Sequence, residues 1–465
     1  MIVRLLPVVF LGFTVCQVQA APMQDERGVS ANEYSVDLMA LYRESRLEDP
    51  RIISAYAKAR SASEQQRAAL GGLLPQVSAN GGYNRILRKD DASREIYDNN
   101  NYGLSLTQYI YNKQAWESWQ KSKSVSRQKV SEADEAQAEA TVDLAKRYFI
   151  ALAADDDLEL VMAERRATQK NLDQVNALYA RQMAKITDQL DLQARVDSLA
   201  AQEVESRNQV RLSRAALAEL VGRPINERLS RVRSDVEFRA PMESLDNWLQ
   251  LAESGNPALK ASQSGVEAAE AAVREGKGGH YPSLTFSLSG QQSDVGYDNT
   301  QTPRSDSYVA TLGVKVPLYS GGSTSARVRG LYDDQQVAEE QLEGVRRQVV
   351  KETTNAYLTA QSSVEKIRAS RNALSSASQS SIAAQKAFTY GVVNAVDVLA
   401  SVQNEFKARR DLLKAQYDFV INLFALNRWA GKLSEGSVAS VNAWLSADDT
   451  NVIRPDAPNP KQVSR

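Results

Sequence analysis

The chain has 465 residues, and its 56 basic and 57 acidic side chains leave a net charge of −1 at pH 7. This balance gives no basic field for nucleic acid and no strongly acidic tail, so we expect no nucleic-acid partner. Charges of both signs are mixed along the chain, and prolines are scarce in its long middle stretches. The composition favours long helices with solvated faces.

The first twenty residues, 1–20, have the layout of a secretory signal peptide. Arg4 precedes the apolar run LLPVVFLGFTVC at 5–16, and QVQAAP follows, which predicts cleavage after Ala20 or Ala21. An apolar run of about 12 residues is too short to span a bilayer. Cys16 is the only cysteine of the sequence, so the mature chain offers no disulfide and no thiolate metal site. We expect an exported protein without a helical anchor.

The first structural repeat, 21–221, is predicted to contain helices on either side of two strands. Its elements are a helix at 34–70, strands at about 75–85 and 101–111, a long helix at 113–181 and a short helix at 188–221. The polar segment LRKDDASREIYDNNN between the strands is predicted to be a solvated loop. An equatorial segment, 222–245, follows the repeat.

The second structural repeat, 246–431, has the same order. Its elements are a helix at 246–276, strands at about 282–291 and 307–318, a long helix at 323–389 and a short helix at 394–430. Pro50 pairs with Pro257, and Pro75 with Pro282, each at an offset of 207 residues, which indicates an internal repeat. Residues 432–465 are predicted to form a further equatorial segment and a disordered tail.

The predicted strands alternate apolar with small or polar residues, as in GLSLTQYIYN at 103–112 and GVKVPLYSGG at 313–322. This alternation is typical of a strand between lipid and water. Four strands per chain are too few for a barrel, since the smallest membrane barrels have about eight. Open sheet edges cannot lie in hydrocarbon, so the strands of several chains must be pooled.

The helices carry a spacing of alternate threes and fours, which is typical of a coiled-coil seam. At about 1.5 Å per residue, each long helix reaches about 100 Å, and the shorter helices stacked end to end match it. Equal columns indicate a rod or tube. A soluble helical bundle with unrelated hairpins remains open on these patterns alone.

The paired halves, PLYSGG at 317–322 and F-x-x-G-x-x-x-x-x-D-V-L at 388–399 resemble the TolC family of outer-membrane efflux and secretion channels. The resemblance implies a mainly α fold with a small β part. A long antiparallel helical coiled-coil barrel would continue four membrane strands per chain, pooled into a 12-stranded β-barrel in a homotrimer. The implied function is the outer-membrane exit duct of a tripartite export system, either type I protein secretion or multidrug efflux.

The resemblance also implies partners and a location. We expect a periplasmic adaptor, an inner-membrane exporter of the ATP-binding cassette type or a proton-driven pump, and outer-membrane lipid. The protein would lie in the outer membrane and extend into the periplasm. No nucleotide motif is present, so a partner must supply the energy for transport.

The junctions between strands and long helices form the first candidate site. Tyr111 and Tyr319 are expected where the strands leave the bilayer, a depth that aromatic rings favour. Pro317 is expected to end the ladder of its strand. Gly321 and Gly322 are expected to allow the turn into the helix, with Ser320 or Ser323 as a cap.

The breaks after the long helices form the second candidate site. YARQMAKITDQLD at 179–191 pairs with FTYGVVNAVDVLA at 388–400, and the resemblance makes both breaks the periplasmic tip that constricts the tunnel. Asp397 matches an acidic ring position, and Thr187 and Asp188 match positions that hold the coils closed. Asp191, one turn after Asp188, could add acidity.

Three positions of the tip depart from the family pattern. Ala400 stands at a second acidic ring position, Val393 replaces an arginine of the closed-state link, and Phe388 replaces its tyrosine partner. The location of the gate is therefore implied, whereas the way in which it is locked is open. An alternative for Asp188 and Asp397 is that they cap the short helices.

Other chemistry is weakly indicated. His280, the only histidine, precedes a strand and is predicted to be a junction residue. Asp155, Asp156 and Asp157 point in different directions on one helix and are predicted to form a solvated face rather than a metal site. We predict neither a cofactor nor enzymatic activity. The rival functions are a structural or adhesive periplasmic coiled coil and a secreted or surface hydrolase.

Overall fold

The computed structural model describes residues 35–89, 91, 94–297, 300–301 and 304–446. The predicted signal peptide at 1–20 and the predicted tail from 447 onward lie outside the described residues. The helices, in chain order, are α1 (Leu38–Glu48), α2 (Pro50–Gly71), α3 (Lys113–Tyr179), α4 (Ile186–Val221), α5 (Leu245–Gly255), α6 (Pro257–Gly278), α7 (Ser323–Thr389), α8 (Ala395–Trp429) and α9 (Glu435–Asn442).

The strands are of two kinds, long members of one sheet and two-residue pieces. In chain order they are β1 (Ser35–Val36), β2 (Gln76–Lys89), β3 (Arg94–Asn112), β4 (Arg228–Leu229), β5 (Arg231–Val232), β6 (Ser283–Tyr297), β7 (Thr300–Gln301), β8 (Ser305–Lys315) and β9 (Leu445–Ser446).

The helices predicted at 34–70 and 246–276 are each broken in two, so the prediction of one continuous helix was wrong. Pro50 and Pro257 stand at the first helical positions of α2 and α6, because proline has no amide to donate and its ring clashes with a preceding helical turn. Asp49 accepts a hydrogen bond from Arg51 N at 2.8 Å, and Asn256 accepts one from Ala258 N at 2.9 Å. A proline pair in the sequence thus marks two helix starts.

The long helices α3 and α7 contain 67 residues each, or about 100 Å of helix. Asn112 caps α3 by accepting a hydrogen bond from Ala115 N at 3.0 Å. α3 contacts α2, α4, α6 and α8, and α7 contacts α6 and α8. α3 therefore packs against helices of both repeats and is the central element of the helical bundle.

The long strands form one antiparallel sheet in the order β2-β3-β6-β8, with β7 paired to the far end of β6. The described residues of the segment predicted as a loop, at 87–101, are largely strand, since Leu87 pairs with Ile96 and Tyr97 with Ile86. Isoleucine and tyrosine favour strands and outweigh the polar residues around them. β8 ends at Lys315 rather than at 318, because Pro317 cannot donate to the ladder. β2 and β8 are the edges of the described sheet.

Short strands join residues 35–36 and 445–446 to the segment 222–245. β1 pairs in parallel with β4, and β5 pairs antiparallel with β9. Tyr148 of α3 is fully buried and donates a hydrogen bond from its hydroxyl to Ser230 O at 2.8 Å. The main apolar core lies here, where α1, α3, α8 and the equatorial segments pack together.

Candidate functional site

The long strands present one apolar face and one small polar face. Directly paired residues of an antiparallel sheet share a face, so the register sorts every side chain. The apolar face contains Val77, Ala79, Leu104, Leu106, Leu284, Phe286, Leu288, Ala310, Leu312 and Val314. The polar face contains Ser78, Asn80, Ser105, Thr107, Thr285, Ser287, Ser289, Gln291, Ser307 and Thr311. Several of the largest apolar side chains are more than half exposed, so nothing in the described chain covers this face.

Tyrosines bound the apolar face at the end away from the helices, a feature that the sequence analysis missed. Tyr102 lies beside Gly81, where an added Cβ would approach its ring to 3.4 Å, and Tyr308 lies beside Gly290 at 3.2 Å. Tyr111 is nine positions after Tyr102, a distance of roughly 25 to 30 Å along the strand. That height matches the apolar band of about 25 Å between the aromatic girdles of membrane barrels.

The first junction contains a β-bulge at Ile110. Tyr109 pairs with Thr285, whereas Tyr111 pairs with Leu284. Without the extra residue, Tyr111 would lie on the polar face, because side chains alternate along a strand. The bulge therefore places Tyr111 at the end of the apolar face, and sequence alternation alone gave no sign of it.

The second junction is a turn at 316–322 between β8 and α7. Tyr319 is 89% exposed. Gly321 and Gly322 have φ of 65° and 84°, a left-handed conformation that favours glycine. Gly322 is the N-cap of α7, and no side chain caps the helix, so the expectation that Ser320 or Ser323 caps it was wrong. Ser323 Oγ instead donates to Ser320 O at 2.8 Å, because the left-handed pair turns the chain away before a hydroxyl can reach the first amides.

Both long helices end in the same type of turn at the opposite end of the rods. Met183 N bonds to Leu178 O, and Val392 N to Ala387 O, each at 2.9 Å, as in a Schellman motif. The left-handed position is occupied by Gln182, with φ of 60°, in the first turn and by Gly391, with φ of 70°, in the second. The two tips thus share a backbone but differ in the residue at the critical position.

Asp188 and Asp397 occupy matching places in the first turns of α4 and α8. Each is the third residue of its helix, where a carboxylate faces the positive end of the helix dipole. Asn394 is the N-cap of α8 and accepts a hydrogen bond from Asp397 N at 2.8 Å, whereas Lys185 caps α4 with no side-chain bond. The alternative that the aspartates are the caps was wrong, because Lys185 and Asn394 hold the N-cap positions and the aspartates lie three residues further on, inside the first turn.

The remaining tip residues differ in burial. Thr187, Asp191 and Asp397 are exposed, and Asp188 is partly buried. Phe388 packs against a small apolar cluster formed by Leu172 and Val175 of α3, Leu192 and Val196 of α4, and Ala395 and Leu399 of α8. The structure thus brings both turns together around Phe388.

The three adjacent aspartates of α3 do not form a solvated face, so that prediction was wrong. Arg214 of α4 donates to Asp155 at 2.8 Å, and Arg410 of α8 donates to Asp157 at 3.0 Å. Asp156 is 1% exposed, accepts a hydrogen bond from Tyr417 and lies 2.9 Å from Arg231 of β5. Successive residues of a helix point about 100° apart, which lets three carboxylates contact three different elements.

Burial raises the pKa of Asp156 to about 6, with Arg231 and Tyr417 opposing the shift. Further along α3, the fully buried Glu164 accepts hydrogen bonds from Arg195 of α4 and from Arg410 of α8. These contacts tie the two helical hairpins together above the tip. A metal is not needed to account for the aspartates, since each has its own cation or hydroxyl.

The sequence matches the model of the outer membrane efflux protein family over residues 41–223 and 248–432. The chain belongs to this family. It is 29% identical to Outer membrane protein TolC of Vibrio cholerae over 420 residues, which cover 90% of this chain and 95% of that relative. It is 27% identical to Alkaline protease secretion protein AprF of Pseudomonas aeruginosa over 443 residues, which cover 95% of this chain and 86% of that relative.

The fold is that of solved outer-membrane channels. The Campylobacter jejuni CmeC outer membrane channel superposes with a TM-score of 0.76 at 14% identity, over 88% of this chain and 90% of that one. This outer membrane efflux protein is an exit duct of the outer membrane, with its helices extending into the periplasm. The family is one of channel proteins rather than enzymes. Within the described residues, no helix is both long and apolar enough to cross a membrane.

Proposed function

We propose that three copies of the chain form a passive duct with a gate at its periplasmic tip. Their sheets pool into a 12-stranded barrel, and their helices continue it as a tunnel. A periplasmic adaptor docks on the tunnel, and an inner-membrane exporter of the ATP-binding cassette type or a proton-driven pump drives transport. The observation that carries this proposal is the uncovered apolar face of the sheet, about 25 Å high between tyrosines.

The two edges of the sheet support pooling between chains. Each edge strand presents a row of unpaired backbone groups, which cost several kcal/mol apiece in hydrocarbon. When β8 of each copy pairs with β2 of the next and the ring closes, every unpaired backbone group of the edge strands gains a hydrogen-bond partner. A structural or adhesive coiled coil, the alternative function, needs no apolar band of this height.

Two classes of cargo fit the proposed duct, secreted proteins and drugs. Two relatives are named for the secretion of proteases, Proteases secretion protein PrtF and Alkaline protease secretion protein AprF, and a third is named Outer membrane efflux protein BepC. A passive duct suits both, because the cargo meets only a water-filled wall. The energy source, rather than the duct, would then decide what is transported.

The gate would be formed by Asp397, Asp188, Thr187, Asp191 and Phe388. Asp188 is partly buried at the turn that Phe388 packs against, which suits a contact that holds the coils closed. Asp188→Ala should therefore raise the resting conductance of single channels in planar bilayers. Asp173→Ala, on the exposed side of α3, is the matched control.

A protein that inserts and conducts, but with unchanged resting conductance in Asp188→Ala, would remove Asp188 from the gate and leave the duct intact. A purified wild-type protein that never conducts would overturn the duct itself.

A further inference from the structure

Charged residues are absent from the four long strands over the height of the apolar face. Asp, Glu, Lys and Arg are missing from 76–84, 99–112, 283–293 and 307–314. The first charge on β8 toward the helices is Lys315, its last residue. A lysine that ends an uncharged stretch of about 25 Å has no opposite charge within that stretch to cancel its field.

The register places Lys315 on the polar face. Lys315 pairs with Ser283, two residues from the pair of Gly313 and Thr285, and the next pair on this face is Thr311 with Ser287. Val314, the preceding residue, pairs with Leu284 on the apolar face. In a membrane barrel the apolar face meets lipid, so the polar face lines the water-filled interior.

The charge of Lys315 is not neutralised within the described residues. Its side chain is exposed, and it has no ion-pair partner there. Two acidic side chains at this end of the helices, Glu117 and Glu275, are already engaged by other cations. Glu117 pairs with Lys113 at 2.6 Å and with Arg274 at 3.0 Å, and Glu275 pairs with Lys121 at 2.5 Å.

Over the height of the apolar face, the rest of the polar face is uncharged. Most of its side chains are hydroxyls and amides, with Val309 and Tyr109 among them, and Ser78 Oγ and Ser105 Oγ are hydrogen-bonded at 2.8 Å. Such a wall has no preference for the sign of an ion. Any charge selectivity of the barrel must come from its ends.

We propose that Lys315 is the selectivity residue of the barrel, forming a basic ring at the mouth where the barrel meets the helical tunnel. In a trimer three ammonium groups would attract small anions and acidic stretches of cargo. This inference rests on the proposed barrel. The helical tunnel would then have an acidic constriction at its periplasmic tip and a basic ring where it meets the barrel.

Screening sets the conditions of the test. The Debye length is about 30 Å at 0.01 M salt and about 3 Å at 1 M. A ring of three charges in a wide barrel therefore acts across the lumen only at low salt. We expect an effect of Lys315 in dilute salt that vanishes in concentrated salt.

The experiment uses single cysteines, which the sequence allows because its only cysteine, Cys16, lies in the predicted signal peptide. Lys315→Cys and, as the matched control on the lipid face, Val314→Cys are made in a chain that also carries Asp397→Asn, so that the tip contributes less selectivity. Reversal potentials are recorded in planar bilayers across a gradient of dilute salt. A cationic or an anionic methanethiosulfonate reagent is then added from the barrel side.

Lys315→Cys should lose anion preference, the cationic reagent should restore it, and the anionic reagent should shift the channel toward cations. Val314→Cys should respond to neither reagent. Channels that conduct but show no change on modification of Lys315→Cys would overturn the basic ring and leave the duct standing. A parent chain that does not conduct would instead count against the proposed function.

Discussion

At the scale of single residues, the turns after α3 and α7 have the same backbone conformation but different residues at the positions that stabilise it. Gln182 adopts the left-handed conformation that Gly391 adopts freely, at a cost of about 1 kcal/mol for a residue with a Cβ. Asn394 caps its helix, whereas Lys185 does not, and a cap contributes about 1 kcal/mol. The first tip is therefore the less stable of the two, and it is the one that contains Thr187, Asp188 and Asp191.

A substitution at Asp397 tests whether the tip forms an acidic constriction. In a trimer three carboxylates would meet in a narrow aqueous passage, and rings of carboxylates favour cations. Asp397→Asn should weaken cation selectivity and block by multivalent cations in single-channel recordings. Because Asn394 already caps the helix, the substitution should cost only the interaction of the charge with the helix dipole, about 0.3 to 1 kcal/mol. Unaltered selectivity and block would show that Asp397 does not line the constriction.

Asp156 predicts a pH dependence of stability. Burial raises its pKa from 3.8 to about 6, so the folded chain binds the proton more tightly than the unfolded chain. The resulting stabilisation is complete below about pH 4 and is lost as the pH rises through about 6. Its size is on the order of 3 kcal/mol, from about 1.4 kcal/mol per pKa unit.

The predicted pH dependence is checked by measuring the melting temperature of the detergent-solubilised protein from pH 4 to 7. Asp156→Asn should lack the part of the pH dependence that the wild type shows between pH 4 and 6. Asp235→Asn, in an exposed pair with Arg233, is the control. Identical pH profiles of wild type and Asp156→Asn would contradict the prediction.

At the scale of elements, the strands are sorted by face. Leu104 and Ser105 are neighbours on β3, but the first lies with the apolar residues and the second pairs with Ser78 on the polar face. Arginine on the lipid face costs about 2 to 4 kcal/mol near the midplane of the bilayer. Leu104→Arg should therefore impair assembly, as judged by the amount of heat-modifiable oligomer in outer-membrane fractions, and Ser105→Arg should impair it less.

Gly313 and Val314 repeat this comparison on β8. An added Cβ at Gly313 meets nothing closer than Thr285 O at 4.0 Å, so Gly313→Arg has room, whereas Val314→Arg would place the charge in lipid. Equal loss of assembly on both faces of both strands would mean that the sheet does not separate lipid from water.

At the scale of the whole molecule, the sheet is incomplete. Its apolar face is uncovered and its edges β2 and β8 are unpaired within the described chain. A second and third copy solve both problems, since pairing between copies removes the edges and closure turns every apolar face outward.

We therefore expect the mature protein to fractionate with the outer membrane and to run as a trimer in mild detergent. Size-exclusion chromatography with light scattering gives the mass of the protein apart from the detergent. A soluble periplasmic monomer would contradict both the pooled barrel and the membrane assignment.

Much of the architecture is determined by the sequence alone. Periodicity of two and of three to four separates strands from helices, because side chains alternate across a strand and recur each turn of a helix. The repeat at an offset of 207 residues relates the halves, and Asp49–Pro50 and Asn256–Pro257 contain the signals of the two helix breaks.

Only the tertiary structure decided what depends on partners distant in sequence. The bulge at Ile110 exists because β3 must pair with β6, and the aspartates at 155–157 are held by arginines from α4, α8 and β5. The polar face that contains Lys315 is likewise defined by its pairing with Ser283. Local pattern gives the direction in which a side chain points, whereas the fold gives what it meets there.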